Sequence, residues 1–338
     1  MRILIDIGHP GHVHFFKNFI SEMKSKGHEI LVIAKRKEVT YELLRAYRIP
    51  YVPYITHHKG ILGKVGTYAI VIKKIYSICR TFKPDIALGI ADFYLAQVCR
   101  ALGIRCYIFD DTEHSKVEIA LYKPFATRII TPACFMKNLG KKQVRYNGFH
   151  ELAYLHPNYF SPDPTVLKQL GVKEREYFVL RFVAWGAAHD VGKSGLSYAD
   201  KYKIIEILKK RGKVFISSEK PLPRGMEGYR MAIPPEQMHD ALYFTRMVIS
   251  EGGTTATEAA VLGVPTVHIT PTAKFSGVHN ELKRYELKFF FNNLNEAKPT
   301  IEMMLKKQDI REIWQKKRAK LLKDKIDVTK WVMNFVES

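Results

Sequence analysis

The sequence predicts an α/β protein made of two doubly wound parallel-sheet domains. Short apolar runs rich in β-branched residues, such as Arg2–Ile7 and Tyr177–Phe182, alternate with stretches in which apolar residues recur at helical spacing. This alternation is typical of parallel strands joined by helices that cover both faces of a sheet. The length of 338 residues exceeds that of one ordinary domain and suits two.

The elements follow in order along the chain. In the first helix, Phe15, Phe16, Phe19 and Met23 share one apolar face, and Gly27 ends the helix. In the N-terminal half we expect strands at 2–7, 29–34, 51–54, 84–89, 107–109, 127–131 and 144–146, and helices at 13–26, 37–47 and 67–81. In the C-terminal half we expect strands at 177–182, 214–217, 246–250 and 265–269, and helices at 165–170, 202–210, 234–244, 257–262 and from 275 onward.

The domain boundary is predicted from proline content. Prolines at positions 157, 162 and 164 give this region the composition of an interdomain linker. We therefore expect an N-terminal domain at 1–154, a linker at 155–164 and a C-terminal domain at 165–324, with a terminal helix at 325–338. Each domain is long enough to bury an apolar core of its own.

Composition and charge indicate a globular protein with a basic surface. The net charge of +21 favours anionic partners such as phosphorylated substrates, nucleic acid or lipid head groups. The basic residues are spread along the chain without an RNA-recognition signature or an arginine-rich arm, so we do not expect a nucleic-acid partner. A strand begins directly after Met1 and no apolar run approaches the roughly 18 residues that span a bilayer, which predicts a cytoplasmic protein. The four cysteines lack metal-ligand spacing and are expected to be free thiols.

The stretch at 246–268 predicts a phosphate site. An apolar strand is followed by the turn Gly252-Gly253 and by a helix that Thr254 and Thr255 are placed to cap. Backbone N–H groups at the start of such a helix bind phosphate, and glycine leaves space for close approach. Glu258 follows in about the first turn of the helix, where its carboxylate is placed to bind a pair of ribose hydroxyls. The alternative is a glycine-rich turn with a solvated glutamate.

This stretch also carries a family resemblance. Residues 250–265 contain small residues and glycines, then Glu258, then an alanine-rich helix that ends in Leu-Gly-Val-Pro. That order resembles the nucleotide-sugar signature of GT-B glycosyltransferases and of the non-hydrolysing UDP-N-acetylglucosamine 2-epimerases. With residues 8–16, GHPGHVHFF, it is similar to the DUF354 family, which is grouped with those enzymes. The resemblance implies a GT-B-like fold: two Rossmann-like domains that face across a cleft, a UDP-linked sugar on the second domain, and a terminal helix that packs back on the first.

Histidines at positions 9, 12 and 14 follow the first predicted strand. The carboxyl ends of strands in open α/β sheets are where ligands bind. Gly11-His12 resembles the Gly-Gly-His loop of MurG-type glycosyltransferases, which implies that His12 is the base for an acceptor hydroxyl; an imidazole with a pKa of about 6.5 suits that role. Alternatively, the histidines cap the first helix. Three histidines so close also fit a metal site, but no carboxylate motif accompanies them, and we expect no metal.

Acidic residues follow two other predicted strands. Asp92 comes after the fourth strand, and Asp111 and Glu113 come after the fifth. By resemblance to the 2-epimerases, such residues would assist the removal and addition of a substituent at C1 and C2 of the sugar. Alternatively, Asp92 and Asp111 are N-caps of the helices that follow.

A second loop is expected over the diphosphate. Residues 183–195, VAWGAAHDVGKSG, stand where MurG-type enzymes have a glycine-serine loop, and Gly186, His189 and Ser194 would then contact phosphate oxygens. A mobile surface loop is the alternative.

The resemblance also assigns residues to the base and the sugar. The backbone of Ile233, which precedes the 234–244 helix, would pair with uracil, unless Ile233 only packs in the core. His279 and Asn280 would hold hydroxyls of the donor sugar.

These patterns predict a glycosyltransferase that uses a nucleotide sugar, UDP-linked, as its substrate, with neither a metal nor a bound cofactor. Two other hypotheses stay open: an epimerase-like reaction at C2 of a UDP-sugar, and nucleotide or polyanion binding without catalysis. The acceptor would be cytoplasmic or at a membrane surface. The loop at 57–66, with apolar residues between lysines, and the basic helix after it would touch an anionic membrane if the acceptor is a lipid; an ordinary layer helix is the alternative.

Overall fold

The structure, a computed structural model, describes residues 1–54, 61–183, 195–218, 221–222, 224–271 and 276–338, with the backbone alone for 61–65. The chain divides into two compact units. The N-terminal unit comprises Met1–Tyr154 and Ile326–Ser338, and the C-terminal unit comprises Leu155–Lys325. Each unit contains a parallel sheet with helices, so the predicted fold class of two parallel-sheet α/β domains is confirmed.

The N-terminal unit is built on a seven-stranded parallel sheet, as far as the structure describes it. The strands pair in an order in which the third, second and first strands extend to one side of the sheet and the fourth to seventh to the other. Connections therefore leave the first and fourth strands in opposite directions, and this switch point is where open α/β sheets bind ligands. The strands are β1 (Arg2–Ile7), β2 (Glu29–Lys35), β3 (Val52–Tyr54), β4 (Ile86–Ile90), β5 (Arg105–Phe109), β6 (Arg128–Pro132) and β7 (Gln143–Tyr146).

The residues that follow β1 favour the start of the first helix. His9 is its extended N-cap residue and accepts a hydrogen bond from Gly11 N–H, and Pro10 occupies the first helical position, where no N–H is needed. The face with Phe16 and Phe19 is buried. The helices in residues 1–155 are α1 (Pro10–Ser25), α2 (Thr40–Ala46), α3 (Ile61–Phe82), α4 (Phe93–Leu102), α5 (Lys116–Tyr122) and α6 (Leu152–Leu155).

The C-terminal unit has a five-stranded parallel sheet within the described residues, in the order β12-β11-β10-β8-β9. These strands are β8 (Tyr177–Phe182), β9 (Lys213–Ser218), β10 (Met247–Ser250), β11 (Thr266–Ile269) and β12 (Lys288–Phe291). Its switch point lies between β8 and β10. The helices are α7 (Thr165–Leu170), α8 (Tyr198–Leu208), α9 (Met238–Phe244), α10 (Gly253–Val261), α11 (Gly277–Arg284), α12 (Leu294–Lys306) and α13 (Ile310–Asp324).

The last helix, α14 (Val328–Glu337), belongs to the N-terminal unit. Thr329 Oγ1 donates a hydrogen bond to the carbonyl of Ala153 at 2.8 Å, and Lys26 forms an ion pair with Glu337 at 2.7 Å. Helix α14 therefore packs beside α1.

Two elements of the C-terminal unit escape the sequence analysis, namely β12 and α12. The run Lys-Phe-Phe-Phe that forms β12, the edge strand of this sheet, begins with Lys288, and a charged residue whose side chain is fully buried is not expected from sequence. Helix α10 begins at Gly253, four residues before the predicted start, and α1 begins at Pro10, three residues before it.

Cys79, Cys99, Cys106 and Cys134 are free thiols. Among the described helices, none combines the length and the apolar character needed to cross a bilayer.

Candidate functional site

In the C-terminal unit, the turn from β10 into α10 is held closely by its neighbours. A Cβ on Gly252 would lie 2.9 Å from Val183 Cγ1, and a Cβ on Gly253 would lie 3.2 Å from Cε1 and 3.3 Å from Nε2 of His279. Neither glycine has a positive φ, so the backbone conformation does not require glycine at these positions. The lack of room for a Cβ does. The side chains of Val183 and His279 occupy the space beside the two glycines, and the close approach of a phosphate stays a prediction.

The predicted cap of α10 is wrong. Gly252 is the N-cap residue, with extended backbone and no side-chain cap, so Thr254 and Thr255 lie in the first helical turn. The turn closes early because Ser250 Oγ accepts a hydrogen bond from Gly252 N–H at 3.0 Å and donates one to the Gly252 carbonyl at 2.8 Å. The first N–H groups of α10 have no acceptor within the helix, and the N-cap residue, a glycine, has no side chain that could cap them.

A buried lysine stands behind this helix start. Lys288, from β12, donates to Thr257 Oγ1 at 3.1 Å and to the Gly253 carbonyl at 3.4 Å, and its side chain is fully buried. Its positive charge adds to the positive end of the α10 dipole. Both features favour an anion at the first turn of α10.

Two histidines, His268 and His279, lie close to the start of α10. The rings of His268, from β11, and His279, from α11, are T-shaped with centroids 5.0 Å apart. His268 Nε2 donates to the carbonyl of Glu251 at 3.2 Å, and burial together with the charge of Lys288 holds the pKa of His268 well below its usual value. His268 is therefore neutral with its proton on Nε2.

Glu258 is buried, and its carboxylate contacts a histidine, His239, that the sequence analysis missed. Its Oε1 lies 3.0 Å from His239 Nε2, and both side chains are buried. Glu258 lies in the second turn of α10, not the first. Its assignment to ribose hydroxyls stays a prediction, and His239, from α9, fixes the orientation of the carboxylate.

Glu251 plays a part that the sequence analysis also missed. Its fully buried carboxylate accepts Leu196 N–H at 2.6 Å on one oxygen and Val183 N–H at 3.3 Å on the other, and Lys201 lies 3.4 Å away. Val183 and Leu196 flank residues 184–194. One carboxylate at the end of β10 therefore holds the chain on both sides of the predicted diphosphate loop.

The other predicted contacts of the nucleotide sugar are distributed as follows. Ile233 is half-buried just before the short 3-10 helix Pro235–Gln237, and Asn280 is half-buried in the first turn of α11, next to His279. The predicted phosphate contacts Gly186, His189 and Ser194 lie outside the described residues.

In the N-terminal unit, His12 lies at the carboxyl end of β1 in the first turn of α1. Its Nδ1 accepts a hydrogen bond from Gly8 N–H at 3.2 Å. Burial, and then the positive charges of His9, Lys35 and His150, hold the pKa of His12 well below its usual value. His12 is therefore neutral, its proton is on Nε2, and the group that it can present to a ligand is a hydrogen-bond donor.

Asp92 follows β4 and does two things at once. Its Oδ1 accepts Leu95 N–H at 2.9 Å, which makes it the N-cap of α4, and its Oδ2 lies 3.3 Å from Lys35 Nζ. The sequence alternatives of cap and site residue are thus both compatible with its position. Lys35 lies at the carboxyl end of β2 and was not among the predicted site residues.

A second buried carboxyl stands beside Asp92. The hydroxyl of Tyr54 donates to the carboxyl group of Asp6, in β1, and lies 2.8 and 2.7 Å from its two oxygens. Burial, followed by the charge of Asp92, holds the pKa of Asp6 well above its usual value, while Lys35 acts in the opposite direction. The edge of β1, β2 and β4 therefore carries the ion pair of Asp92 with Lys35 and, beside it, a carboxyl group that holds its proton more tightly than a free aspartate does.

The carboxyl end of β5 carries the remaining acidic residues. Asp110 is buried and accepts hydrogen bonds from Tyr122 Oη and Thr112 N–H at 2.5 and 2.8 Å. Glu113 is also buried and accepts one from Met136 N–H at 3.1 Å. Asp111 differs, because its side chain is 27% exposed and pairs with a histidine.

That histidine is His150, whose Nδ1 lies 3.3 Å from Asp111 Oδ2. It comes after β7, far from Asp111 in sequence, and carried no motif that could have identified it. The predicted cap role of Asp111 is wrong, because Ser115 precedes α5. The pair lies at the same sheet edge as His12, whose pKa the charge of His150 lowers.

The remaining histidines near β1 separate from one another. His14 pairs with Tyr47 Oη at 3.3 Å and stacks on Tyr154, whereas His9 caps α1. In the part of the chain that the structure describes, no three His, Cys, Asp or Glu side chains are grouped to hold a metal ion.

The two parallel-sheet units define a GT-B-type protein, and solved structures share this fold. The chain resembles UDP-GlcNAc 2-epimerase from Neisseria meningitidis bound to UDP-GlcNAc, with a TM-score of 0.69, 11% identity and 99% of both chains covered. It resembles the Methanocaldococcus jannaschii UDP-GlcNAc 2-epimerase in complex with UDP-GlcNAc and UDP, with a TM-score of 0.67, 14% identity and coverage of 91% of this chain and 94% of the other. For the glycotransferase of kitacinnamycin the TM-score is 0.60, at 11% identity and 99% and 98% coverage.

The chain belongs to the family described as "Protein of unknown function (DUF354)", whose model matches residues 1–336. It is also 26% identical over 321 residues to the uncharacterized protein MJ0665 of Methanocaldococcus jannaschii, covering 91% of this chain and 93% of that protein. The family resemblance in the sequence is thereby confirmed.

Proposed function

We propose that the protein is a UDP-sugar enzyme whose C-terminal unit binds the diphosphate at the start of α10. The observation that carries this proposal is the uncapped first turn of α10, with the fully buried Lys288 behind it. A negatively charged group is the natural ligand of a positive helix end reinforced by a buried cation. The N-terminal residue of the helix is a glycine, which allows such a group to come close.

The same groups give the proposal a chemistry. When the C–O bond between the sugar and the diphosphate breaks, negative charge grows on the diphosphate oxygens. Hydrogen-bond donors that are already fixed in a site without water stabilise this charge and need not move to do so. Lys288 and the α10 N–H groups are fixed in this way. We expect that chelators leave turnover unchanged, because these residues supply the positive charge.

Among reactions of a UDP-sugar, we favour an epimerase-type reaction that moves a proton at the sugar ring. Such a reaction needs carboxyl groups whose environments differ. Asp6, Asp92 and Asp111 lie at one sheet edge, and Asp6 is distinguished by a pKa that burial raises. The Gly8 hydrogen bond to Nδ1 makes His12 a donor, which weakens its assignment as the base of a transferase. The 2-epimerases whose fold this chain shares bind UDP-GlcNAc or UDP.

A glycosyltransferase is the second candidate. The support for it is the likeness to the glycotransferase of kitacinnamycin over nearly the full length of both chains. In that case Asp92 or Asp111 rather than His12 would accept the proton of the acceptor hydroxyl.

Nucleotide binding is tested by calorimetric titration with UDP, GDP, ADP and dTDP. We expect selective UDP binding that weakens about tenfold or more in Glu258→Gln, since the glutamine keeps the size of the side chain but loses the charge that holds two hydroxyls. Glu302→Gln, at an exposed position of α12, is the matched control and should bind as the wild type does. Equal binding of all four nucleotides, or none, would reject the proposal.

The reaction type is tested by incubation with UDP-GlcNAc in heavy water. An epimerase-type reaction incorporates deuterium at the sugar ring without any acceptor, whereas a transferase needs an acceptor to release UDP. Deuterium in recovered sugar nucleotide, measured by mass spectrometry, supports the first; UDP release that depends on added acceptor, without deuterium, supports the second.

A further inference from the structure

The strand edge of the N-terminal unit contains a carboxylate–histidine pair that no sequence motif assigns. Asp111 follows β5 and His150 follows β7, and Asp111 Oδ2 lies 3.3 Å from His150 Nδ1. Strands β5 and β7 are separated in the sheet by β6, so the fold and not local sequence makes this contact.

The two members of the pair differ in access. His150 is buried, with its ring 4.8 Å from that of Phe15 in an edge contact and stacked parallel to Tyr146 at 6.4 Å. Asp111 keeps 27% of its side chain exposed, and its Oδ1 accepts a hydrogen bond from Thr112 Oγ1 at 3.0 Å. The histidine is therefore immobilised, whereas the carboxylate is accessible to a ligand.

The proton arrangement of the pair follows from its partners. A carboxylate only accepts, so His150 must donate from Nδ1. Burial holds the pKa of His150 below its usual value although the charge of Asp111 raises it, which leaves a neutral imidazole at neutral pH. Among the described residues, Nε2 of His150 is buried and has no hydrogen-bond partner. A histidine retained only to satisfy buried polar groups would use both ring nitrogens.

The groups around His150 come from several elements. Asp111 faces it from the loop after β5, His12 from α1, and Tyr146 from β7. Tyr146 Oη has no hydrogen-bond partner in the described part of the chain, and burial, followed by the charges of Asp111 and Glu151, raises the pKa of Tyr146. Asp111 is therefore the acidic group bonded to His150, and Glu151 is a second carboxyl group in these surroundings.

We propose that Asp111 exchanges a proton with the sugar of the substrate and that His150 is the positioning residue that orients this carboxylate through the hydrogen bond from Nδ1. This inference rests on the proposed function as a UDP-sugar enzyme. In the step, the bond between the proton and the substrate breaks, its electron pair stays on the substrate, and the proton bonds to a carboxylate oxygen of Asp111. The Nδ1–H of His150 stays on the ring and hydrogen-bonds the other oxygen throughout.

The first test does not depend on activity. Nitrogen NMR of the ¹⁵N-histidine-labelled full chain reports which ring nitrogen holds the proton, and His150→Asn assigns the signal by removing it. We expect neutral His150 to carry its proton on Nδ1, which is the minor form of free histidine. A neutral His150 with its proton on Nε2 would overturn the proposal, whether or not UDP-sugars are substrates.

The second test compares two substitutions that mimic different ring nitrogens. The amide of His150→Asn stands near the position of Nδ1 and can donate to Asp111, whereas that of His150→Gln stands near Nε2 and cannot. With UDP-GlcNAc as the probe, we expect His150→Asn to keep the wild-type pH profile of kcat/KM within about half a pH unit. His150→Gln should lower kcat about 10- to 100-fold and move the acid limb to higher pH, because the carboxylate loses a donor.

A control variant and a binding measurement distinguish failure of the positioning role from failure of the proposed function. His28→Asn, at a half-buried histidine of the same unit that pairs with Glu337, should match the wild type. UDP titration of each variant should give unchanged affinity, so a wild type without UDP affinity would reject the proposed function and not the pair. Equal pH profiles for His150→Gln and wild type would overturn the positioning role.

Discussion

The backbone N–H of Gly8 donates a hydrogen bond to Nδ1 of His12 at 3.2 Å. A nitrogen that accepts a hydrogen bond cannot hold the ring proton, so neutral His12 is protonated on Nε2. Burial is the first cause that holds its pKa well below the usual value, so this neutral form persists into mildly acidic solution. The resemblance to a Gly-Gly-His loop predicts a base at this position, and the hydrogen bond makes the residue a donor.

This tautomer predicts how His12 responds to substitution. The amide of His12→Gln places an N–H donor near the position of Nε2, so we expect it to keep kcat/KM for UDP-GlcNAc within about tenfold of the wild type. His12→Leu removes the donor and should cost about 10²- to 10³-fold, as loss of one preorganised donor to developing charge does. Steady-state kinetics of both variants measure this difference. If glutamine is as inactive as leucine, His12 acts as a base.

The glycine turn predicts a second effect. Gly253→Ala places a Cβ 3.2 Å from the His279 ring and narrows the approach to the first turn of α10. We expect UDP affinity to fall about tenfold, or about 1.4 kcal/mol, while the free energy of unfolding changes by less than about 1 kcal/mol, because alanine is a better helix former. Titration and urea unfolding measure the two quantities.

Gly228→Ala is the matched control for this change. No atom of the described residues lies within 4 Å of the Cβ that it would add, and Gly228 belongs to the same unit. It should leave UDP affinity unchanged. A similar loss of affinity in both variants would mean that the turn of α10 has no special part in binding.

The carboxylate of Glu251 predicts a third effect. Glu251→Gln replaces one accepting oxygen by an amide that donates, so either Leu196 N–H or Val183 N–H loses its partner, and Lys201 loses its counter-charge. We expect a loss of about 2–4 kcal/mol in the free energy of unfolding and weaker UDP binding. Urea unfolding and titration check this pair of results.

The control for Glu251 is an exposed ion pair of the same unit. Glu206→Gln breaks the contact with Lys209 on α8, where both side chains are about half exposed. Such pairs contribute about 0–1 kcal/mol, so a loss for Glu206→Gln as large as that for Glu251→Gln would contradict the role given to Glu251.

The sequence predicts the strands of this fold well because apolar runs with β-branched residues, such as β1 and β8, are recognised without knowing their neighbours. It fails at β12, because Lys288 looks exposed in sequence and is buried in the fold. The start of α10 is missed for a similar reason. Thr254 and Thr255 have the right composition for a cap, but a hydrogen bond between Ser250 and Gly252 closes the turn first.

The candidate sites divide in the same way. Gly252, Gly253 and Glu258 are found from one short stretch, whereas His150, Lys35 and His239 become recognisable only through partners far along the chain. The direction of a hydrogen bond is also a property of the fold: the sequence places His12 correctly at the end of β1 but cannot show that Gly8 occupies its Nδ1.

The buried carboxyl of Asp110 predicts how stability depends on pH. Burial raises the pKa of Asp110 to about 7, against the opposing hydrogen bonds from Tyr122 and Thr112. Between about pH 4 and 7 the folded state keeps a proton that the unfolded state has released, so the free energy of unfolding falls as pH rises, by about 1.4 kcal/mol per pH unit from this group. Asp110→Asn imitates the protonated carboxyl and removes this fall.

We therefore expect Asp110→Asn to resemble the wild type near pH 4 and to exceed it in stability by a few kcal/mol near pH 8. Urea unfolding at half-unit steps of pH measures the difference, and the contribution of Asp6, whose pKa is also raised, cancels because both proteins contain it. Asp85→Asn, at an exposed aspartate of the same unit, is the control and should show no such divergence. A constant difference between Asp110→Asn and wild type across this range would show that Asp110 is already ionised in the folded protein.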